Sequence, residues 1–398
     1  MRIQRRLPLL FVIALLSAHA SSRPDQFTPL VASALTKNTR PFLGTDGRVH
    51  VVYELVLINT SPTPATLKKI EVLDGSDSSK VLGSYSGQEL LSCLRSTGRV
   101  PAENPTIEFN STRLLLIDLS LDPAIALPEH LMHHIELLGA PSPGPKPATP
   151  VLLSYTVAPL EISRKLPAIG APLSGKHWVA VNGCCGADSI HRSSSLSVNG
   201  GIYFAQRFAI DWMRLDEAGR FVHGDPADVH NYDSYGADVL AVADGTVVET
   251  LNDLDDQKAG TLPDPKTITL QNVDGNHIVM NLGDGVFAFY AHLQKNSVRV
   301  SPGERVKRGQ ILGKLGNTGN TSAPHLHFHL MEGTSVLGSN GIPYQIDSFS
   351  ITGRVSAADF AAASGVEGDW NKGLFPNLSP RHNQFPLDLD IVDFSSAK

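Results

Sequence analysis

Hydrophobic and polar residues alternate in short segments along much of this 398-residue chain. Such alternation predicts β-strands, because successive side chains of a strand point to opposite faces. In the first half, His50–Asp74 contains two alternating strands around a Ser-Pro-Thr-Pro turn, and Ile107–Asp122 and His133–Gly139 continue the pattern. Short strands at this regular spacing are typical of an immunoglobulin-like β-sandwich. We therefore predict an all-β protein with such a sandwich at residues 21–160.

The second half is separated from the first by a segment without periodicity, Leu160–Lys176, which is rich in proline and glycine. We assign residues 161–204 to this linker and a cysteine-containing lead-in. A second β domain is expected at residues 205–332, followed by a loop-rich C-terminal extension at residues 333–398. Alternation across Asn199–Leu215 predicts one strand of the second domain, with Asp211 and Arg207 on its polar face.

Pro324–Leu330, which reads PHLHFHL, has the most unusual alternation in the chain. Its pattern predicts a strand with His325, His327 and His329 on one face and apolar residues on the other. Imidazole is the commonest metal ligand and a general acid or base near neutral pH. A polar face that is histidine-rich by chance is the alternative to a metal or catalytic site.

The N-terminus predicts an exported protein. Three arginines, an apolar run at Leu7–Leu16 and an Ala-x-Ala end resemble a secretory signal peptide at residues 1–20, cleaved after Ala20. The apolar run is shorter than the roughly 20 residues that span a bilayer, so we expect no stable membrane span. The formal net charge is −6 without a basic stretch, which argues against nucleic acid as a partner.

Three cysteines, Cys93, Cys184 and Cys185, allow one disulfide and leave one thiol over. An exported protein can keep such a bond. The sequence leaves open whether it joins the adjacent pair or links Cys93 to one of them. We favour a structural role over a metal site that combines these thiols with His191.

Four segments resemble one known family, the lysostaphin-type or LytM-like zinc endopeptidases that cut peptidoglycan. Gly316–Leu330 is similar to the family's HxH signature, and Gly275–Leu293 to its hairpin that ends in Tyr-x-His. Val300–Gly319 resembles the segment that joins those two, and Val239–Glu249 the family's early strand pair. The resemblance implies that the second domain has the lysostaphin-type β fold, the duplicated hybrid motif.

The resemblance also implies a Zn²⁺ cofactor held by three protein ligands, with a fourth position open to water. In the family these ligands are a His and an Asp four residues apart, plus the second His of HxH. Asp211 and His327 match the Asp and the HxH ligand. His325 matches the residue that activates or orients the attacking water, and His292 the one that stabilises charge on the tetrahedral intermediate.

One family ligand is missing, because Arg207 stands four residues before Asp211 and a guanidinium has no lone pair for a metal. One interpretation is an Arg207–Asp211 ion pair in an inactive site. The other is a replacement imidazole, for which His329 is the first candidate and His223 or His230 the alternatives. We assign the metal to Asp211, His327 and His329, and Arg207 then acts as a carbonyl or carboxylate clamp.

The resulting functional hypothesis is an exported zinc metallopeptidase that hydrolyses peptide bonds in peptidoglycan or another peptide substrate. A catalytically inactive relative that binds wall peptides or regulates a partner hydrolase is the main alternative. A third interpretation, a biotin or lipoyl carrier, follows from a resemblance of VKRGQILGKLG to such domains. Export argues against a carrier because it removes the cytoplasmic partners.

Overall fold

The computed structural model describes residues 25–356, 358–359 and 373–395, so the expected signal peptide lies outside the described residues. The expectation of an all-β protein is confirmed by 28 strands within those ranges. Helices within those ranges are short: α1 (Gly87–Ser92), two 3₁₀ turns, Val229–Asn231 and Pro265–Thr267, and helical residues at 358–359. No helix in the described ranges is both long and apolar enough to cross a membrane.

The N-terminal region contains two mainly antiparallel sheets that pack around one hydrophobic core. Its strands are β1 (Leu30–Ala34), β2 (Asn38–Thr39), β3 (Phe42–Leu43), β4 (Val49–Asn59), β5 (Ala65–Asp74), β6 (Asp77–Ser86), β7 (Leu94–Arg95), β8 (Thr106–Ile107), β9 (Thr112–Leu121), β10 (His130–Gly139) and β11 (Val151–Ile162). One sheet has the order β1-β4-β9-β7 with β3 beside β4, and the other β2-β11-β10-β5-β6 with β8 beside β5. Side chains of both sheets, such as Tyr53, Ile117 and Ile135, pack in that core. The immunoglobulin-like character of this region stays a prediction.

The rest of the described chain forms a second region, which contains one large sheet and three two-stranded sheets. Its strands are β12 (Ala168–Ile169), β13 (Gly175–Val181), β14 (Leu196–Val198), β15 (Gly201–Tyr203), β16 (Ile210–Arg214), β17 (Asp238–Leu240), β18 (Gly245–Leu251), β19 (Asn276–Gly283), β20 (Val286–Leu293), β21 (Arg305–Val306), β22 (Ile311–Lys314), β23 (Leu326–Met331), β24 (Gly341–Ile342), β25 (Gln345–Ile346), β26 (Phe349–Arg354), β27 (Leu374–Arg381) and β28 (Asp390–Phe394). The large sheet has the order β21-β18-β19-β20-β23-β16-β13-β28-β26-β27, with β24 beside β23. The lead-in therefore contributes β13 to this sheet, and the C-terminal extension contributes β24, β26, β27 and β28.

The sheet of the sandwich that contains β4 and β9 packs against the second region. Along β4, Val51, Tyr53 and Leu55 point into the sandwich core, whereas Val52 belongs to the core of the second region. Glu54 lies on the same outer face as Val52 and is fully buried. The outer face of β4 is thus an interface between the two parts of the chain.

The predicted strand across Asn199–Leu215 is wrong in one respect, since the structure breaks it between β15 and β16. Residues 205–208 form a turn. Phe204 packs with leucines on the outer face of the sandwich, whereas Phe208 packs in the core of the second region, where its ring contacts Phe42. Because Phe204 and Phe208 pack in two different cores, the alternation is interrupted between them. Arg207 therefore lies in the turn and not on the strand of Asp211.

The disulfide joins the adjacent residues Cys184 and Cys185, which settles the alternative that the sequence left open. Cys93 is the free thiol and is half-buried. Both bonded cysteines are buried at the edge of the second region's core, in the connection between β13 and β14. Their role in this structure is to pack and cross-link that connection.

Candidate metal centre

Two neighbouring strands of the large sheet supply the centre of the site. β16 pairs antiparallel with β23 so that Asp211 lies opposite His327. On β23, Leu326 and Phe328 are buried in the core of the second region, and the alternate residues are the histidines. His325 immediately precedes β23. The alternation predicted for this segment, and its position beside Asp211, are confirmed.

Both oxygens of the Asp211 carboxylate lie close to side-chain nitrogen atoms. Its Oδ1 lies 2.9 Å from Nδ1 of His327 and 3.3 Å from Nε2 of His325. Its Oδ2 accepts a hydrogen bond from the Asn182 side chain at 2.7 Å and lies 3.4 Å from Nε2 of His191. Among the described residues, no lysine or arginine forms an ion pair with Asp211. A buried carboxylate in such a shell of imidazoles is suited to a cation.

His191 is the residue that sequence reasoning did not place in this site. It lies in the turn-rich connection between β13 and β14 and is 5% exposed. Its Nδ1–H donates to the Ala209 carbonyl at 3.1 Å, which leaves Nε2 directed at Asp211. Together with Asp211 and His327 it forms a group whose three ligand atoms all lie within 4.8 Å of one another.

The other candidates for the third ligand lie elsewhere. His329 is buried next to His327, with its Nδ1 3.1 Å from Nε2 of His327. It is thus on the far side of the His327 ring from Asp211, and it does not belong to the group of three. His230 is exposed and bonded to Asp228 at 2.8 Å, while His223 is half-exposed beside another aspartate. The structure brings His191, and none of these three, to Asp211.

His292 and His325 form a second pair of imidazoles beside Asp211, with ring centroids 4.7 Å apart. Nδ1–H of His292 donates to the Thr318 carbonyl at 2.7 Å. Nδ1 of His325 lies 2.8 Å from the Ala323 carbonyl and donates to it in the same way. In both rings the Nδ1 atom is committed to the backbone, so Nε2 is the atom left for chemistry.

Arg207 does not pair with Asp211, so the alternative interpretation as an Arg207–Asp211 ion pair is wrong. Its Nη1 lies 2.5 Å from Oε2 of Glu54, on the sandwich, and its Nε–H donates to the Gly341 carbonyl at 2.8 Å. The side chain is 5% exposed. The physical reason is the turn at residues 205–208, which removes Arg207 from the face that Asp211 occupies.

Burial and one carboxylate set the protonation states of the cluster. Burial alone would raise the pKa of Asp211, but the imidazoles of His191 and His325 hold it well below its ordinary value. Burial lowers the pKa of His191 to about 4, and it lowers the pKa of His292 and of His329 far below the usual range. Burial also opposes charge on His325, but the Asp211 carboxylate raises its pKa. A charged carboxylate beside neutral His191 is the state that metal binding requires.

The donor set fits zinc by its chemistry. Two imidazole nitrogens and one carboxylate oxygen are the ligands of many catalytic zinc sites, which keep a further position open. Nε2 of His191, Asp211 and Nδ1 of His327 converge from three separate segments of the chain. His329 supports this arrangement, since its Nδ1 lies within hydrogen-bond distance of Nε2, the remaining nitrogen of His327.

Comparison with known proteins confirms the resemblance to lysostaphin-type endopeptidases. Residues 229–339 match the model of peptidase family M23. The matched segment includes His292, His325 and His327 and begins after Asp211. The similarity to M23 peptidases therefore covers residues 229–339, while His191, Asp211 and the sandwich lie outside the matched residues.

Curated relatives align over short segments. The chain is 52% identical over 58 residues to the glycyl-glycine endopeptidase ALE-1 of Staphylococcus capitis, covering 14% of this chain and 16% of that one. It is 42% identical over 57 residues to the peptidoglycan DD-endopeptidase ShyA of Vibrio cholerae, covering 14% and 13%. Among solved structures, the catalytic domain of lysostaphin from Staphylococcus simulans is 25% identical over 37% of this chain and 80% of that one, with a TM-score of 0.22. The chain thus spans less than a fifth of the length of these curated relatives.

Proposed function

We propose that this protein is a zinc metallopeptidase that hydrolyses peptide bonds in peptidoglycan. The observation that carries the proposal is the convergence of two imidazoles on a buried aspartate that no lysine or arginine neutralises in the described chain. The M23 match supports a peptidase, and the names of the relatives, peptidoglycan and glycyl-glycine endopeptidases, support the substrate class.

In this proposal Nε2 of His191, a carboxylate oxygen of Asp211 and Nδ1 of His327 hold the zinc. His191 takes the place of the family imidazole that is lost at Arg207. When bound, the metal supplies a Lewis acid that polarises the scissile carbonyl and activates water. His329 does not bind the metal in this proposal. It is the hydrogen-bond partner that fixes the tautomer of His327.

The protein's own imidazoles then handle the protons. His325, whose Nε2 lies beside Asp211, is suited to orient the attacking water and take its proton. His292 is suited to stabilise negative charge on the substrate oxygen. Because its Nδ1–H already donates to Thr318, Nε2 of His292 can donate only in the imidazolium form.

The test combines metal content with cleavage. We expect about one zinc per purified chain, release of peptide fragments from isolated peptidoglycan, and loss of both in Asp211→Ala. His325→Ala is expected to keep zinc and lose cleavage, and exposed His230→Ala to keep both. Zinc binding without cleavage of any wall peptide would favour the non-catalytic alternative, and a wild-type protein without zinc would refute the proposal.

Export belongs to the same proposal, because peptidoglycan lies outside the cytoplasm. We expect the mature chain to begin at Ser21, after cleavage at Ala20. N-terminal sequencing of the protein from the extracytoplasmic fraction checks this expectation. An intact Met1 on protein in the membrane fraction would contradict it.

A further inference from the structure

A buried carboxylate of the sandwich lies between two arginines of the second region. Glu54 is in the middle of β4 and has no exposed surface. Its Oε1 lies 2.5 Å from Nη1 of Arg192, and its Oε2 lies 2.5 Å from Nη1 of Arg207. Arg192 is 1% exposed and also donates to the backbone carbonyls of Tyr53 and Ile117, at 2.9 and 3.3 Å. These contacts anchor both arginines on the sandwich.

Both arginines adjoin the parts of the chain that orient His191. Arg192 is the next residue along the chain. Arg207 belongs to the turn that leads into Ala209, whose carbonyl accepts the Nδ1–H of His191. One carboxylate therefore fixes the backbone that carries the imidazole and the segment that sets its ring orientation.

Local hydrogen bonds and the disulfide shape the connection that carries His191, but they do not tie it to the large sheet. The connection between β13 and β14 contains turns and bends without a regular strand or helix, so no ladder of backbone hydrogen bonds holds it to the sheet. The sandwich contacts the same connection at two further points. Arg95 donates to the Ala187 carbonyl and Arg99 to the Ser195 carbonyl, each at 2.9 Å. The connection is thus held by the sandwich on both sides of His191.

We propose that Glu54 is a positioning residue of the metal centre, which bridges Arg192 and Arg207 so that Nε2 of His191 faces Asp211. This inference rests on the proposed role of His191 as a zinc ligand. It makes the sandwich a structural part of the site. It also gives Arg207 a function, because the substitution that removes the family's imidazole supplies the anchor for its replacement.

Energetics argue that the charges do more than join the two regions. Three buried charges incur a large desolvation cost, and apolar residues of similar volume often stabilise such a site at least as well. What an ion triad provides is a fixed geometry, since each guanidinium and the carboxylate bond along set directions. A metal ligand on an irregular connection needs that fixed geometry.

The test measures zinc affinity in variants that keep the protein folded. Glu54→Gln preserves the shape of the side chain but leaves two buried guanidiniums without a counter-ion. The triple variant Glu54→Leu/Arg192→Met/Arg207→Met removes all three charges and avoids unpaired buried charge. The control is Thr45→Val, which removes another hydrogen bond between the two regions, from Thr45 to Asp390. Zinc affinity is measured by chelator competition, site geometry by the absorption spectrum of the Co²⁺-loaded protein, and folding by melting in EDTA.

We expect the triple variant to melt as a folded protein, to bind zinc about 10- to 100-fold more weakly than the wild type and to show an altered Co²⁺ spectrum. Glu54→Gln is expected to lose affinity in the same direction, and Thr45→Val to bind zinc as the wild type does. If the folded triple variant keeps wild-type zinc affinity and an unchanged Co²⁺ spectrum, the inference about Glu54 is overturned, while the proposed function stands. Should the triple variant not fold, the same result in Glu54→Gln overturns the inference. A wild-type protein that binds no zinc overturns the proposed function as well.

Discussion

Replacement of His329 separates a metal ligand from a residue that supports one. In the structure its single polar contact in the site is between its Nδ1 and Nε2 of His327, at 3.1 Å, and its own Nε2 is buried without a partner in the described part of the chain. His329→Leu leaves the corresponding nitrogen of His327 unpaired instead. One unpaired buried nitrogen replaces another, so the free energy of unfolding of the metal-free protein should change by no more than about 1 kcal/mol.

Zinc affinity should respond more strongly. Loss of a hydrogen-bond partner of a metal-binding imidazole typically weakens metal binding about 10- to 100-fold, which corresponds to about 1.4 to 2.7 kcal/mol of binding free energy. His329→Glu restores an acceptor for His327 and should recover most of that affinity. His191→Ala removes a direct ligand, so its loss of zinc affinity should be larger than about 100-fold.

Chelator competition on the wild type and on His329→Leu, His329→Glu, His191→Ala and Asp211→Ala, at matched folded fraction, decides between the two roles. The reasoning is refuted if His329→Leu removes zinc as completely as Asp211→Ala while His191→Ala retains it. His329 would then be the third ligand, as the sequence alone suggested, and the connection that carries His191 would have only a structural role.

Three further predictions concern other parts of the molecule. Burial lowers the pKa of His133 from 6.5 to about 4. As the pH falls from 6.5 to 4, the folded protein should therefore lose up to about 3 kcal/mol of stability relative to a His133→Gln variant. Denaturant-unfolding curves across that range check this, and an equal pH dependence of the free energy of unfolding in the two proteins would contradict it. Gly275→Ala should cost about 1 to 3 kcal/mol, because Gly275 has a φ of +64° and an added Cβ would lie 2.2 Å from the Thr318 carbonyl oxygen; a thermal melt equal to the wild type would refute that estimate. Arg207→His, although it restores the family's residue, should not tighten zinc binding, since position 207 faces the sandwich; tighter binding in chelator competition would show that the turn can rotate into the site.

The sequence predicts those parts of the site that lie on regular strands. Leu326, Phe328 and Leu330 report the core face of β23, and the histidines between them must then share the opposite face. The pairing of that strand with the strand of Asp211 follows from the family resemblance and agrees with the structure. In these segments the alternation with period two predicts both which side chains are buried in the core and which lie together in the site.

The remainder depends on contacts that no local pattern encodes. His191 lies in an irregular connection, and the residue that anchors it, Glu54, is 138 positions from Arg192 along the chain. Alternation that continues through Phe204 and Phe208 predicts Arg207 on the strand of Asp211. Those two rings serve different cores, and only the packed structure shows the turn that this requires.

Anomalous scattering at the zinc edge, from crystals of the zinc-loaded protein, locates the metal among these side chains. We expect one strong peak bounded by His191, Asp211 and His327, with His329 behind His327 and out of contact with the metal. A peak that contacts His329 and leaves His191 aside would contradict it, as would zinc-loaded crystals without a peak beside Asp211.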